Sequence, residues 1–308
     1  MSRGAEPVIE PMRCRKFRVL AGAARTLAVL AATAGMALAV EDPPDGQAGR
    51  EIAPGVREII LPDGAVYRGA MRGGTFHGKG EYVSKEFRYQ GDFRDGIKQG
   101  EGVYLWENGD RYEGTFTADR ADGRGRYRFA NGGTYEGEVK AGEILGRGTY
   151  VARNGDVFEG SFVGGKPHGT GVYRFASGDR YEGEMQRGRL QGRGRYLHRN
   201  GDRVEASFVD GTPQGRGTYH FSNGDRYEGE IIGGALSGQG VYFYASGLRY
   251  EGEVRRGQPD GRGVLWFPDG SRFEGRFEAG LARAGEIVRR DGTRARGEIV
   301  DGNARPLD

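Results

Sequence analysis

From about residue 57 onward the chain alternates in character at every second position. Tyr112, Gly114 and Phe116 alternate with Arg111, Glu113 and Thr115, and Gly123, Gly125, Tyr127 and Phe129 alternate with Arg124, Arg126 and Arg128. A period of two is the signature of a β-strand whose faces differ, whereas a helix would repeat every three or four residues. The pattern therefore predicts strands throughout. One face carries rings and glycines, and the other carries charge. Asn108-Gly109, Asn131-Gly132, Asn154-Gly155, Asn200-Gly201 and Asn223-Gly224 punctuate the strands. Asn-Gly favours two-residue hairpin turns because both residues tolerate positive φ. Ser177-Gly178, Ser246-Gly247, Asp63-Gly64 and Asp269-Gly270 fill the same slot, while the second connection in each unit reads as a longer, variable rim.

The alternation itself repeats. Triplets of the Tyr-Glu-Gly kind begin at Tyr67, Tyr89, Tyr112, Tyr135, Phe158, Tyr181, Val204, Tyr227, Tyr250, Phe273 and Ala295, 22 or 23 residues apart. With the first residue of each triplet as position 0, a Gly-x-Gly pair recurs at +11 and +13, from Gly78 and Gly80 to Gly261 and Gly263. A lone Gly-x-Gly invites a phosphate-loop reading, but here it lies in strands with no helix following. Glycine lets another group approach the backbone closely, so rings are expected to lie over the glycines of neighbouring strands.

The units YEGTF…GRGRYRFANGG and YEGEM…GRGRYLHRNGD closely resemble MORN (membrane occupation and recognition nexus) repeats. The resemblance covers about residues 57–300, some ten to eleven units. It implies an all-β fold, an elongated single-layer antiparallel sheet of stacked hairpins in an open, twisted, solenoid-like array. It also implies protein binding, self-association or membrane-lipid contact. Three departures stand out: Val204-Glu205-Ala206 lacks ring and glycine and points to a local bend, Lys85-Glu86-Phe87 replaces an Asn-Gly turn, and Ala284 and Glu286 replace the last glycine pair. The terminal decay reads as a cap that blunts an open edge.

Composition supports an ordered repeat. There are 59 glycines in 308 residues without collagen's spacing, and the aromatic content is that of a folded chain. The formal charge of +3 is misleading, because residues 1–39 hold six basic and two acidic residues and leave 40 basic and 41 acidic beyond them. That balance argues against nucleic acid as a partner.

The first 39 residues read as a secretory leader. Arg13, Arg15, Lys16 and Arg18 precede an apolar run from Val19 to Val40, broken by Arg25, and Ala37-Leu38-Ala39 offers a cleavage site. The expected location is the periplasm or outside the cell, as for an exported bacterial protein. An uncleaved inner-membrane anchor is the alternative, and Met12 competes with Met1 as the start. A linker is expected at 40–56 and a tail at 301–308. Cys14 precedes the apolar core and would leave with the leader, so disulfides and cysteine-based zinc sites are not expected.

Candidate chemistry is sparse. His77 and His168 lie four repeats apart, and His198 and His220 have no metal-ligand spacing, so no metal or cofactor is expected. The repeats leave no span for a catalytic domain, which predicts a non-enzyme. The candidate site is an aromatic groove of Tyr112, Phe116, Tyr127, Tyr135, Tyr150, Phe158, Phe162, Tyr181, Tyr227 and Tyr250, expected to be partly open because a single-layer sheet cannot cover such a stripe. Its expected occupant is a protein of the cell envelope. The alternative is an anionic lipid or envelope surface met by a row of Arg124, Arg147, Arg193, Arg216 and Arg262, spaced by about 10 Å. Monomer and edge-paired homodimer both fit the pattern.

Overall fold

The computed structural model describes residues 49–300 and 303–306. Its described residues are all strand and turn, with no helix among them. They fall into two units, one of residues before 177 with 185–188, the other of residues 177–184 with 189 onward. The leader expected at 1–39 lies outside the described residues.

In the first unit twelve strands follow in chain order. They are β1 Arg50–Ala53, β2 Val56–Ile60, β3 Val66–Arg72, β4 Thr75–Val83, β5 Phe87–Arg94, β6 Ile97–Trp106, β7 Arg111–Thr117, β8 Arg120–Arg128, β9 Thr134–Lys140, β10 Glu143–Val151, β11 Val157–Val163 and β12 Lys166–Arg174. Each pairs antiparallel with the next, so the unit is an open ladder of hairpins. β1 occupies part of the expected linker.

The second unit repeats the plan. β13 Arg180–Gln186, of which residues 180–184 belong to this unit, is followed by β14 Arg189–Leu197, β15 Arg203–Val209, β16 Thr212–His220, β17 Arg226–Ile232, β18 Ala235–Phe243, β19 Arg249–Arg255, β20 Gln258–Trp266, β21 Arg272–Glu278, β22 Leu281–Val288, β23 Arg294–Val300 and β24 Asn303–Pro306. From β14 to β24 each strand again pairs antiparallel with the next. β24 lies within the expected tail.

The two connections exchange the roles that the sequence suggested. At the Asn-Gly slot the loop has three residues: Gly132 N–H donates to the Phe129 carbonyl (2.9 Å), Phe129 N–H donates to the Gly133 carbonyl (2.9 Å), and only Gly132 has positive φ, at 90°. That is a type I turn closed by a left-handed glycine. The supposedly variable rim holds the two-residue turns, with both residues at positive φ. Ala141 and Gly142 (50° and 89°) and Asp210 and Gly211 (48° and 84°) are examples, the geometry of a type I′ turn.

The paired glycines also divide their duties. Between β7 and β8, Gly114 faces Gly125 and Phe116 faces Ala121, so three residues of β8 lie opposite Thr115. This two-residue bulge turns on Gly123, at φ 108°. The +13 glycine instead makes room for a ring. A Cβ on Gly125 would lie 2.3 Å from Tyr112 Cε2, and one on Gly148 would lie 2.4 Å from Tyr135 Cε2. The position 0 ring therefore covers the glycine two residues along its own strand and the +13 glycine of the next.

The departures are absorbed locally. The Val204 unit keeps the register of its neighbours, with Val204 wholly buried opposite Tyr196 and Tyr219, and Ile231 reaches the space above Gly217. A register shift falls between Glu205 and Ser207, where a local bend was expected, and the pairing resumes in the repeat's usual register at Phe208 and Pro213. In the last glycine-poor unit Gly285 faces Gly275 and lies under Phe273, so a one-residue shift restores the platform that Glu286 would deny.

Candidate functional site

The ring face is a core. Tyr112, Tyr135, Phe162, Tyr181, Tyr227 and Tyr250 are 0% exposed, Tyr127 and Phe158 1%, Phe116 3% and Tyr150 7%. The expectation of a partly open aromatic groove is corrected for these ten residues: ring on glycine leaves no gap, and the rings close over one another. Tyr135 meets Phe162 of the next repeat edge-on at 5.1 Å, as Tyr89 meets Phe116 at 5.0 Å in the same unit. Tyr181 with Phe208 (5.1 Å) and Tyr250 with Phe277 (4.9 Å) repeat the contact in the second unit. Tyr112 packs on Tyr127 at 4.6 Å, Phe158 on Phe162 at 5.2 Å, Tyr150 on Phe129 at 6.2 Å, and Tyr227 on Tyr242 at 4.8 Å. Each such pair adds about 0.5–1.5 kcal/mol to the burial of the rings themselves.

Five of the tyrosine hydroxyls are engaged as well. Tyr112, Tyr135, Tyr181, Tyr227 and Tyr250 donate to the carbonyl three residues on, beside the bulge, at 2.7–3.2 Å. Burial raises their pKa values. Phe158 lacks this bond.

A second set of polar anchors was not legible as such. Turn aspartates reach into the following turn: Asp110 Oδ1 accepts from Ala130 N–H (2.7 Å), Asp156 from Ala176 (2.8 Å), Asp179 from Arg199 (2.9 Å), Asp202 from Ser222 (2.8 Å) and Asp225 from Ala245 (2.8 Å). The other oxygen accepts the hydroxyl of Tyr173 at Asp156, Tyr196 at Asp179 and Tyr219 at Asp202. The Asx turn belongs to the asparagine, as when Asn131 Oδ1 accepts Gly133 N–H at 2.9 Å. Burial opposes ionisation of Asp179, but the Arg199 N–H and the Tyr196 hydroxyl outweigh it and leave the carboxyl below its ordinary range. The even spacing of the aspartates, one per repeat, was the available signal.

What remains accessible is the opposite face. Arg124, Arg147, Arg193, Arg216 and Arg262 are all exposed there, and none forms an ion pair among the described residues. Arg124 faces Glu138 and Arg216 faces Glu230 across strands, whereas Arg262 faces Arg276. Other arginines pair along their own strand, two residues from a glutamate: Arg180 with Glu182 (2.9 Å), Arg226 with Glu228 (3.1 Å), Arg249 with Glu251 (2.6 Å) and Arg272 with Glu274 (2.6 Å). Exposed pairs of this kind contribute about 0–1 kcal/mol each. Arg226 and Arg249 also stack over Phe243 and Trp266, at 4.3 and 4.5 Å. In the first unit this face carries a hollow of about 550 Å³ lined by Arg68, Lys79, Glu81, Gln90, Glu101 and Glu113. A second, of about 740 Å³, lies at the bulges beside Arg124, Glu138 and Lys140. No cluster of three His, Cys, Asp or Glu able to hold a metal occurs among the described residues.

The MORN repeat signature matches nine segments, residues 67–85, 89–111, 112–134, 135–157, 158–180, 181–203, 205–226, 227–249 and 250–272, and the chain belongs to the MORN-repeat family. No curated protein matches it. Among solved structures it is similar to the TCP domain of SAS-4 (dCPAP) from Drosophila melanogaster, in complex with a proline-rich motif of Ana2, at 19% identity and a TM-score of 0.32 over 49% of this chain and 83% of that one. It is similar too to the G-box domain of the microcephaly protein CPAP, at 12% identity and a TM-score of 0.28 over 80% and 100%. A streptogramin B lyase follows at 12% identity and a TM-score of 0.15 over 78% and 81%.

Proposed function

We propose that this MORN-repeat chain is a non-enzymatic scaffold of the cell envelope that holds a protein partner on its charged face. The observation that carries this reading is the division of labour between the two faces: the rings are spent on packing, while the charged face stays open and carries the hollow bounded by Arg68, Glu101 and Glu113. Alternating charges over a fixed strand spacing favour a partner of complementary pattern and act on specificity more than on affinity. The test is co-purification from envelope fractions with a triple variant, Arg68→Glu, Glu101→Lys and Glu113→Lys. Loss of the partner at unchanged melting temperature supports the reading. Retention of every partner sinks it.

A second reading rests on the five exposed guanidiniums, which have no ion-pair partner among the described residues. Arg124, Arg147, Arg193, Arg216 and Arg262 would touch an anionic lipid surface. Flotation with vesicles rich in anionic lipid tests it, because binding that ignores salt, or survives Arg→Gln at all five positions, removes the electrostatic basis. Export rests on the leader-like residues 1–39, and the N-terminal mass of the mature chain tests cleavage after Ala39.

A further inference from the structure

Two positions of the repeat are always neighbours. The N–H of the second turn residue, +7, donates to the carbonyl of the +9 residue of the preceding repeat: Gly96 to Phe76 (2.9 Å), Asp119 to Lys98 (3.1 Å), Gly142 to Ala121 (2.8 Å) and Gly165 to Ile144 (3.0 Å). Position +9 is apolar in every other repeat, as Phe76, Ala121, Ile144, Pro167, Leu190, Pro213, Leu236, Pro259 and Ala282, and position +7 is glycine in every repeat but one. Both exceptions fall at the same junction. Lys98 replaces the apolar residue and Asp119, held at φ 66°, replaces the glycine.

The two side chains meet in the interior, 8% and 6% exposed, with Nζ 3.5 Å from Asp119 Oδ1. The same oxygen accepts the Lys98 N–H at 2.9 Å. The ammonium lies 5.3, 5.8 and 5.6 Å from the ring centres of Phe87, Tyr89 and Tyr104. An isolated charge in this setting is severely penalised, and a paired one is tolerated. Hairpins of one repeating sequence raise a problem that single domains lack. A strand can pair one repeat too far along, with rings and glycines matching almost as well.

We infer that Lys98 and Asp119 form a register pin, fixing which hairpin follows which where the repeats alone leave the choice nearly degenerate. If β6 skipped the β7–β8 hairpin and paired with β9, Lys98 would adjoin the Ala141-Gly142 turn, which offers no side-chain acceptor. If β4 took the place of β6, Phe76 would adjoin Asp119 and strand its carboxylate. Each slip leaves one charge buried and unpaired, whereas the native order pairs both.

The test uses the full chain in a Cys14→Ser background with reporters Glu101→Cys and Thr115→Cys, which face each other in the native β6–β7 register. The chain is refolded from denaturant and treated with a short thiol cross-linker. Lys98→Leu with Asp119→Gly, the residue types that other repeats hold, is expected to melt no lower than the parent yet raise the uncross-linked, misregistered fraction by at least about tenfold. Moving the pair one repeat along, by adding Ala121→Lys and Gly142→Asp, is expected to restore the parental yield. A double variant that keeps the parent's cross-linking, or a relocated pair that fails to rescue it, overturns the inference. So does a double variant that no longer refolds, since the pair would then supply stability rather than order.

Discussion

A ring lying on two glycines is the unit from which this protein is built, and it sets tight limits on single residues. Gly148→Ala would drive a methyl into the Tyr135 ring, and it is expected to cost about 1–3 kcal/mol in denaturant unfolding. Phe158 sits over Gly160 and Gly171 as the tyrosines sit over theirs, but without the hydroxyl that caps the carbonyl at the bulge. Phe158→Tyr is therefore expected to stabilise by up to about 1 kcal/mol, and a lowered melting point would refute the capping role. The association of rings with glycines was legible in the sequence, because alternation alone puts them on one face. The different duties of Gly123 and Gly125 were not. A bulge that inserts two residues preserves the odd-even parity of the strand, so the pattern reads as if no bulge existed. The burial of Tyr112 and Tyr135 escaped for a related reason: alternation identifies the face of a ring, not whether the ring stands up from the sheet or lies down on it.

At the level of the hairpin, the sequence showed both connections and misassigned their geometry. Asn131-Gly132 is compatible with a two-residue turn and with the last two residues of a three-residue one, and only the pairing of Phe129 with Gly133 decides between them. Ala141-Gly142 has no obvious turn chemistry, yet Ala141 is held at φ 50°, where L-residues other than asparagine and aspartate are strained. Ala141→Asn is expected to raise the stability of the β9–β10 hairpin by up to about 1 kcal/mol, read from hydrogen exchange of Lys140 and Glu143. The same change at Arg187, φ 50°, offers an independent check. Lys98 and Asp119 were each visible as exceptions to a column of like residues. Only the turn-to-strand hydrogen bond that makes +7 and +9 neighbours joins them.

Over the whole molecule the repetition of one buried group becomes a collective property. Burial pushes the Tyr67 hydroxyl from 10.0 up to about 12, and raises those of Tyr89, Tyr112, Tyr127, Tyr135, Tyr181, Tyr227 and Tyr250 further. Above pH 10 the unfolded chain gives up protons that the folded chain keeps, so stability present in full below pH 10 is lost as pH rises, by roughly 1.4 kcal/mol per pH unit for each such tyrosine. An abrupt alkaline transition is expected between pH 10 and 12, with tyrosinate absorbance and loss of the sheet signal appearing together. Gradual ionisation of a still-folded chain would contradict the packing described for the ring face. The Asn-Gly turns at the sheet margin have a consequence of another kind, for how the protein ages. Asparagine before glycine ordinarily loses its amide when the glycine nitrogen attacks the side-chain carbonyl, but in these turns that nitrogen is engaged, Gly109 with Trp106, Gly132 with Phe129, Gly155 with Ala152, Gly201 with His198 and Gly224 with Phe221. The fold thus shields its five most perishable bonds, and the slow one-dalton gain in mass that marks deamidation becomes a clock that runs only while a hairpin is open.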